Sequence, residues 1–363
     1  MIKIKDDENI FVHEIQKARK EGKMVYILGS ALGAVRIAGG LRYRNLDFDA
    51  FVVDPGYYEE GKTLLGKHIY CLDDVMESDC MIIRSVANYP GLERLKEKAY
   101  LVDEDVLSLS MVASDPFDNE FIKTHIDGFN SLYEILQDDK SRQVMEAYLN
   151  QKITGRFKEM EGVWDGRQYF SGKGYRLSGV GCIVDCGAYI GDSFLAFCDE
   201  YEKTTGSKYR GKAYLLDPDE HNQQQIRINC QNTEADIKCL KTGAWNQKGT
   251  LAFQSDENQR NAGKIDDLGD VIIQVDTIDN IVKDNKVDFI KMDIEGAELN
   301  ALKGAARTIV RDRPVLAVCV YHKREDLLEI PSYIHSLYDG YQFYIRAYGG
   351  PYSIELVLFA VAG

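Results

Sequence analysis

The stretch Ile183-Val184-Asp185-Cys186-Gly187-Ala188-Tyr189-Ile190-Gly191-Asp192 is answered further along the chain by Leu215-Leu216-Asp217-Pro218. A short apolar run ends in an acid, breaks into a Gly-x-x-x-Gly turn, and leads into a helix with Phe194, Phe197 and Tyr201 on one face. This is a strand–turn–helix whose turn is bare of side chains where the backbone-hugging part of a ligand lies. The second acid, at the end of the next strand, is placed for the two hydroxyls of a ribose. Together they predict an adenosine-type cofactor at the carboxyl ends of parallel strands.

The pattern is Asp-x-Gly-x-x-x-Gly, which departs from the Gly-x-Gly-x-x-Gly of dinucleotide folds. An acid just before the first glycine suits instead the cationic amino-acid end of S-adenosylmethionine. The competing reading takes Gly187 and Gly191 as a tight turn and a close helix–strand contact, and nothing more.

At 363 residues the chain has room for two domains, each with its own core. Hydrophobic residues make up 45% and charged residues 28%, the balance of an ordinary soluble protein. A net charge of −14 disfavours nucleic acid and anionic membranes as partners. No apolar stretch approaches the ~20 residues that cross a bilayer. The opening Met1-Ile2-Lys3-Ile4-Lys5-Asp6-Asp7-Glu8 has no apolar segment behind its lysines, so a cytoplasmic location is expected. The eight cysteines form no Cys-x-x-Cys pair and read as buried free thiols, without a zinc site or redox pair.

Residues 1–114 predict a small α/β unit with a parallel sheet. A helical pattern through Phe11, Ile15 and Ala18 precedes strands at 24–28, 51–53 and 80–83. Residues 115–161 change character. Phe129, Leu132, Tyr133 and Leu136, then Val144 and Tyr148, follow helical spacing, as expected of a helical connector. From 162 to 363 strands are expected at 183–185, 213–217, 237–240, 287–292, 315–321, 342–347 and 355–361. A hairpin of 249–253 with 271–275 intervenes. Only Gly349-Gly350-Pro351 separates the last two strands, so parallel strands are expected to end in an antiparallel pair, as in methyltransferase sheets.

Asp288-Phe289-Ile290-Lys291-Met292-Asp293-Ile294-Glu295-Gly296-Ala297-Glu298-Leu299 is the second dense motif. A buried strand emerges at Asp293, and Gly296 permits a turn into the next helix. Glu295 and Glu298 suit a first helical turn, where carboxylates meet the helix dipole. Capping explains Asp293 poorly, because an acid ending a buried strand at the ligand edge is costly without a role. The next strand ends in Val320-Tyr321-His322, which brings His322 to the same edge. An imidazole there is either a structural partner of the carboxylates or a catalytic group.

These pieces resemble the FkbM family of methyltransferases over roughly residues 165–363. The resemblance rests on Val184 to Asp192, Gly243-Ala244-Trp245, Val275-Asp276-Thr277-Ile278-Asp279, the Asp288 motif with Lys303-Gly304-Ala305, and Tyr321-His322 followed by Glu325-Asp326-Leu327. Asp217 stands where relatives often carry Glu, and the acid is kept. The resemblance implies a class I methyltransferase-type, Rossmann-like sheet. It also implies S-adenosylmethionine-dependent O-methylation of a sugar, glycan or secondary metabolite. The amino-terminal half resembles the smaller Rossmann-like units fused to such enzymes. Its Gly29-Ser30-Ala31-Leu32-Gly33 lacks the middle glycine that admits a pyrophosphate, which leaves packing, homo-oligomer formation or substrate presentation as its expected roles.

The expected site follows. Asp185, Gly187, Ala188, Tyr189 and Gly191 hold the methionine end of the cofactor, Asp217 the ribose, and Ala244 and Trp245 the adenine region. The methyl sulfonium is already electrophilic, so the protein aligns a hydroxyl and removes a proton. His322 and Asp293 are the candidate bases, and a magnesium-assisted route through Asp293 and Glu295 stays open. Two rivals remain: a non-catalytic binding or scaffold protein that retained the fold, and a nucleotide-sugar or NAD-dependent enzyme using the amino-terminal unit.

Overall fold

A computed structural model describes residues 1–85, 89, 91–95, 99–101, 116–170, 174–254, 264–265, 271–350 and 353–363. The expected boundary at 114/115 and Pro351 of the expected turn lie outside the described residues. Two compact units are distinguished: Met1–Tyr133 with Gln143–Trp164 and Gly349–Ile354, and Glu134–Arg142 with Asp165–Tyr348 and Glu355–Gly363.

The first unit contains a six-stranded sheet of β1 (Met24–Leu28), β2 (Ala50–Val53), β3 (Thr63–Leu64), β4 (Lys67–Cys71), β5 (Cys80–Arg84) and β6 (Ala99–Leu101). Its order is β3-β4-β2-β1-β5-β6, parallel except for the short β3–β4 pair. The strands read from the sequence are present. β3 and β6 went unread because Thr63–Leu64 and Ala99–Leu101 are too short for periodicity, and β4 because Lys67–Cys71, next to the edge strand β3, opens on the polar Lys67 and His68 and shows no continuous apolar run. Helix Ile10–Lys20 is capped by Asn9, whose side chain accepts from the Phe11 amide, and it buries Phe11, Ile15 and Ala18. Gly33 is required in the helix after β1, because a Cβ there would lie 2.9 Å from the Ser85 carbonyl oxygen.

The second unit is built on seven strands: β7 (Cys182–Cys186), β8 (Lys212–Leu216), β9 (Asp236–Leu240), β14 (Phe289–Met292), β15 (Val315–Cys319), β16 (Tyr341–Gly350) and β17 (Ser353–Ala362). Their order is β16-β17-β15-β14-β7-β8-β9. β9, β8, β7, β14 and β15 run parallel, and β17 joins β15 antiparallel. β7 and β14 are buried at every position, which is why they are continuous apolar runs and not alternating ones. Phe194 and Phe197 of helix Asp192–Thr205 pack against Ile183, Leu215 and Phe289 to form the core beneath the β7 turn. A smaller sheet holds β10 (Gly243–Ala244), β11 (Gly249–Gln254), β12 (Lys264–Ile265) and β13 (Val271–Asp276). The expected hairpin is its β11–β13 pair, in register from Gly249 opposite Val275 to Phe253 opposite Val271. All eight cysteines are free thiols, six of them buried.

Candidate active site

The sheet order β14-β7-β8 brings three strand ends together, with the turn after β7 between Asp293 on one side and Asp217 on the other. A cavity of about 620 Å³ opens there, lined by Gly187, Tyr189, Asp217, Ala244, Lys291 and Asp293 among others. That volume falls within the roughly 300–1,000 Å³ of small-molecule sites.

The β7 turn is held from below. Asp185 is 1% exposed; it accepts from the Ser193 hydroxyl and lies 3.1 Å from Lys291 Nζ. Lys291 Nζ also donates to the Gly187 carbonyl at 2.8 Å. Burial alone would lower the lysine's pKa, but Asp185 and Asp293 outweigh it and keep the ammonium charged. Gly187 has φ +76°, and a Cβ on it would lie 1.9 Å from the Asp293 carbonyl oxygen. Gly191, at φ +85°, would press a Cβ against Cys230 Sγ at 2.9 Å. Both glycines therefore serve close packing as well as any ligand. Tyr189, a non-glycine residue at φ +46°, faces the cavity, and strain of this kind gathers at binding sites.

Asp217 lines the cavity although only 6% exposed. Its carboxylate accepts from the Tyr189 amide at 3.0 Å, the Asp219 amide at 2.9 Å and the Asn222 side chain at 3.2 Å. Burial nonetheless pushes its pKa up to about 6 against these three donors. Ala244 also faces the cavity, at the end of β10. Asp185, Ala188, Gly191 and Trp245 lie outside its lining. Asp185 is buried in β7 and Ala188 in the turn after it, and the Trp245 amide donates to the Asp276 carbonyl.

On the other side, Asp293 Oδ2 accepts from the Tyr169 hydroxyl at 2.8 Å, and Oδ1 from Tyr321 at 3.4 Å. Burial opposes ionisation of Asp293, but Lys291, His322 and Tyr169 overcome it and hold its pKa below the usual range. His322 Nε2 lies 3.5 Å from Asp293 Oδ1 and 3.7 Å from Glu295 Oε2, while Nδ1 lies 3.0 Å from Glu298 Oε1. Burial would lower the histidine's pKa, yet these carboxylates push it up to about 10. Glu298 does more than meet a helix dipole, because its Oε1 also accepts from the Ile294 amide at 2.8 Å. The fold thus brings Asp293, Glu295, Glu298 and His322 together.

Sequence reasoning missed Tyr169, Gln168 and Glu355. Gln168 donates to Glu355, and both line the cavity beside Tyr169. Tyr169 sits in a loop at φ +62° with no periodic signal; Glu355 stands on a strand where an acid reads as solvent-facing. Only the packing of distant segments reveals them.

The fold and the cavity define a Rossmann-like protein of the methyltransferase type. Residues 185–343 match the family model of the methyltransferase FkbM domain, so the chain carries an FkbM methyltransferase domain. Among solved structures, the chain resembles methyltransferase FkbM from Methylobacillus flagellatus KT at 25% identity and a TM-score of 0.70. That alignment covers 97% of this chain and 94% of the other. A SAM-dependent methyltransferase from Leishmania major aligns at 10% identity and a TM-score of 0.28, over 64% of this chain and 82% of that one. No curated protein matches the sequence significantly. Among the described residues, no helix is long and apolar enough to cross a membrane.

Proposed function

We propose that the chain is an S-adenosylmethionine-dependent O-methyltransferase acting on a hydroxyl of a small-molecule or carbohydrate acceptor. The observation that carries this reading is a single cavity with the buried Asp217 carboxylate on one side of the β7 turn and the ionised Asp293 on the other. The residues fit the cofactor. Asp217 retains acceptor capacity for ribose hydroxyls, Gly187 and Tyr189 offer a bare turn for the amino-acid end, and Ala244 leaves room for a flat base. When bound, the cofactor supplies an electrophilic methyl group on a sulfonium.

The remaining work belongs to the chain. Asp293 is the preferred proton acceptor over His322, since the imidazole is already protonated by its carboxylate neighbours at neutral pH. Tyr169 holds the Asp293 carboxylate through Oδ2. Gln168, Glu355 and Tyr321 make the neighbouring wall polar, which suits an acceptor rich in hydroxyls.

Calorimetry with S-adenosylmethionine, S-adenosylhomocysteine and NAD tests the reading. Saturable binding of the first two, weakened at least tenfold in Asp217→Ala, is expected. Binding of NAD alone would place the protein in another enzyme class, and binding of none would leave the scaffold reading.

A further inference from the structure

His322 is buried at the site and has one ring nitrogen without a hydrogen-bond partner among the described residues. Its side chain is 8% exposed, and Nδ1 is committed to Glu298 Oε1 at 3.0 Å. Among the described residues, Nε2 is buried and finds no hydrogen-bond partner, and the second oxygen of Glu298 is likewise buried without one. The unanswered nitrogen faces Asp293 Oδ1 at 3.5 Å and Glu295 Oε2 at 3.7 Å, beyond hydrogen-bond length yet within reach of a common centre. Asp293, Glu298 and His322 each bring a ligand atom within 4.8 Å of the others.

Leaving a buried polar atom unpaired is costly, so this arrangement calls for a partner that the described residues do not supply. Two ligand atoms bound at about 2.0–2.2 Å to one ion lie about 3–3.6 Å apart at tetrahedral and octahedral angles. The separation of Nε2 from Asp293 meets that figure, and that from Glu295 comes within a small side-chain movement of it. A carboxylate on the far ring nitrogen is the usual support of a metal-bound histidine, and an ion bound here would displace the proton that the neighbouring carboxylates keep on Nε2.

We infer that His322 Nε2, Asp293 and Glu295 form a binding site for a divalent transition-metal ion, with Glu298 as the carboxylate that orients the histidine. One imidazole with two carboxylates suits manganese, iron or zinc better than calcium. The site opens on the cavity through Asp293 and Glu295, so an acceptor hydroxyl could join the ion as a further ligand. The inference extends the methyltransferase reading to the acceptor side of the cavity but does not depend on cofactor binding.

The test is direct titration of the full chain, stripped with chelator, with manganese chloride, following the free-ion signal by electron paramagnetic resonance. One saturable equivalent per chain is expected. His322→Gln and Asp293→Asn should each weaken it about tenfold to a hundredfold, and Glu298→Gln should weaken it within the same range while keeping the stoichiometry. Asp217→Asn, across the β7 turn, should leave it unchanged. Circular dichroism and melting temperature establish that each variant is folded, and Glu295→Gln, at a more exposed position, serves if the buried variants are not. No saturable binding in the wild type, or binding indifferent to Glu295→Gln, His322→Gln and Asp293→Asn in folded protein, overturns the inference. Calorimetry with S-adenosylmethionine in metal-free buffer reports on the methyltransferase reading separately.

Discussion

The hydroxyl of Tyr169 donates to Asp293 Oδ2 at 2.8 Å across a separation of 124 residues. The Tyr169 ring also lies under the Lys291 ammonium, with 5.4 Å between Nζ and the ring centroid. One side chain from a loop therefore touches both the anion and the cation of the β14 strand end. Tyr169→Phe keeps the ring and loses only the hydroxyl. A hydrogen bond to a charged group contributes about 1.5–3 kcal/mol, and Asp293 retains Tyr321 and His322 as neighbours. A loss of stability toward the lower end of that range is expected in urea denaturation, with cofactor affinity little changed.

Lys291→Met should be far more damaging. It leaves Asp185 buried without its cation and releases the Gly187 carbonyl, and breaking a buried pair on one side costs about 3–5 kcal/mol. The double variant with Asp185→Asn should recover part of that loss, because no uncompensated charge then remains. Equal stability of the single and double variants would refute the pairing; denaturant midpoints decide it.

Cofactor affinity should depend on pH through Asp217. Its folded pKa is raised from 3.8 to about 6, so below about pH 6 the carboxylate protonates and loses an acceptor site for ribose. Affinity should therefore fall as pH drops from 7 toward 5, and Asp217→Asn should flatten that dependence. The same shift has the opposite sign for stability. A raised carboxyl pKa makes Asp217 favour folding most below about pH 3.8, with that contribution lost as pH rises through about 6. Calorimetric titrations at a series of pH values read the first effect.

Gly187→Ala and Gly206→Ala separate packing from backbone strain. Both glycines have positive φ, +76° and +71°, but a Cβ on Gly206 meets open space while one on Gly187 collides with the Asp293 carbonyl. Gly206→Ala should cost about 1 kcal/mol, the backbone penalty alone. Gly187→Ala should either fail to fold or lose cofactor binding through a displaced turn. Thermal melts of the two proteins side by side are sufficient.

Much of the architecture was legible without coordinates. Buried parallel strands appear as unbroken apolar runs, and 183–185, 213–217 and 237–240 lie within one residue of β7, β8 and β9 because turn chemistry and acids mark their ends. The bare turn at Gly187, the acid at Asp217 and the meeting of Asp293 with His322 were readable for the same reason. Each stands where a strand stops, and parallel topology places all strand ends on one edge.

What the chain's local pattern could not carry was decided by packing. Whether an acid at a strand end faces a cavity or is locked beneath a turn depends on which buried cation reaches it. Lys291 reaches Asp185, so that acid underpins the turn, whereas Asp217 opens to the cavity. Tyr169 and Glu355 enter the site by long-range contacts that leave no periodicity. The buried Arg346 likewise draws Asp138 and Ser141 into the second unit, at 2.6 Å and 2.9 Å. Sequence alone located the longer apolar strands along the chain and the residues that end them, because hydrophobic period and turn chemistry are local. Only the tertiary structure decided which of those residues are paired, buried or free to act, because burial and charge pairing are properties of the assembled neighbourhood.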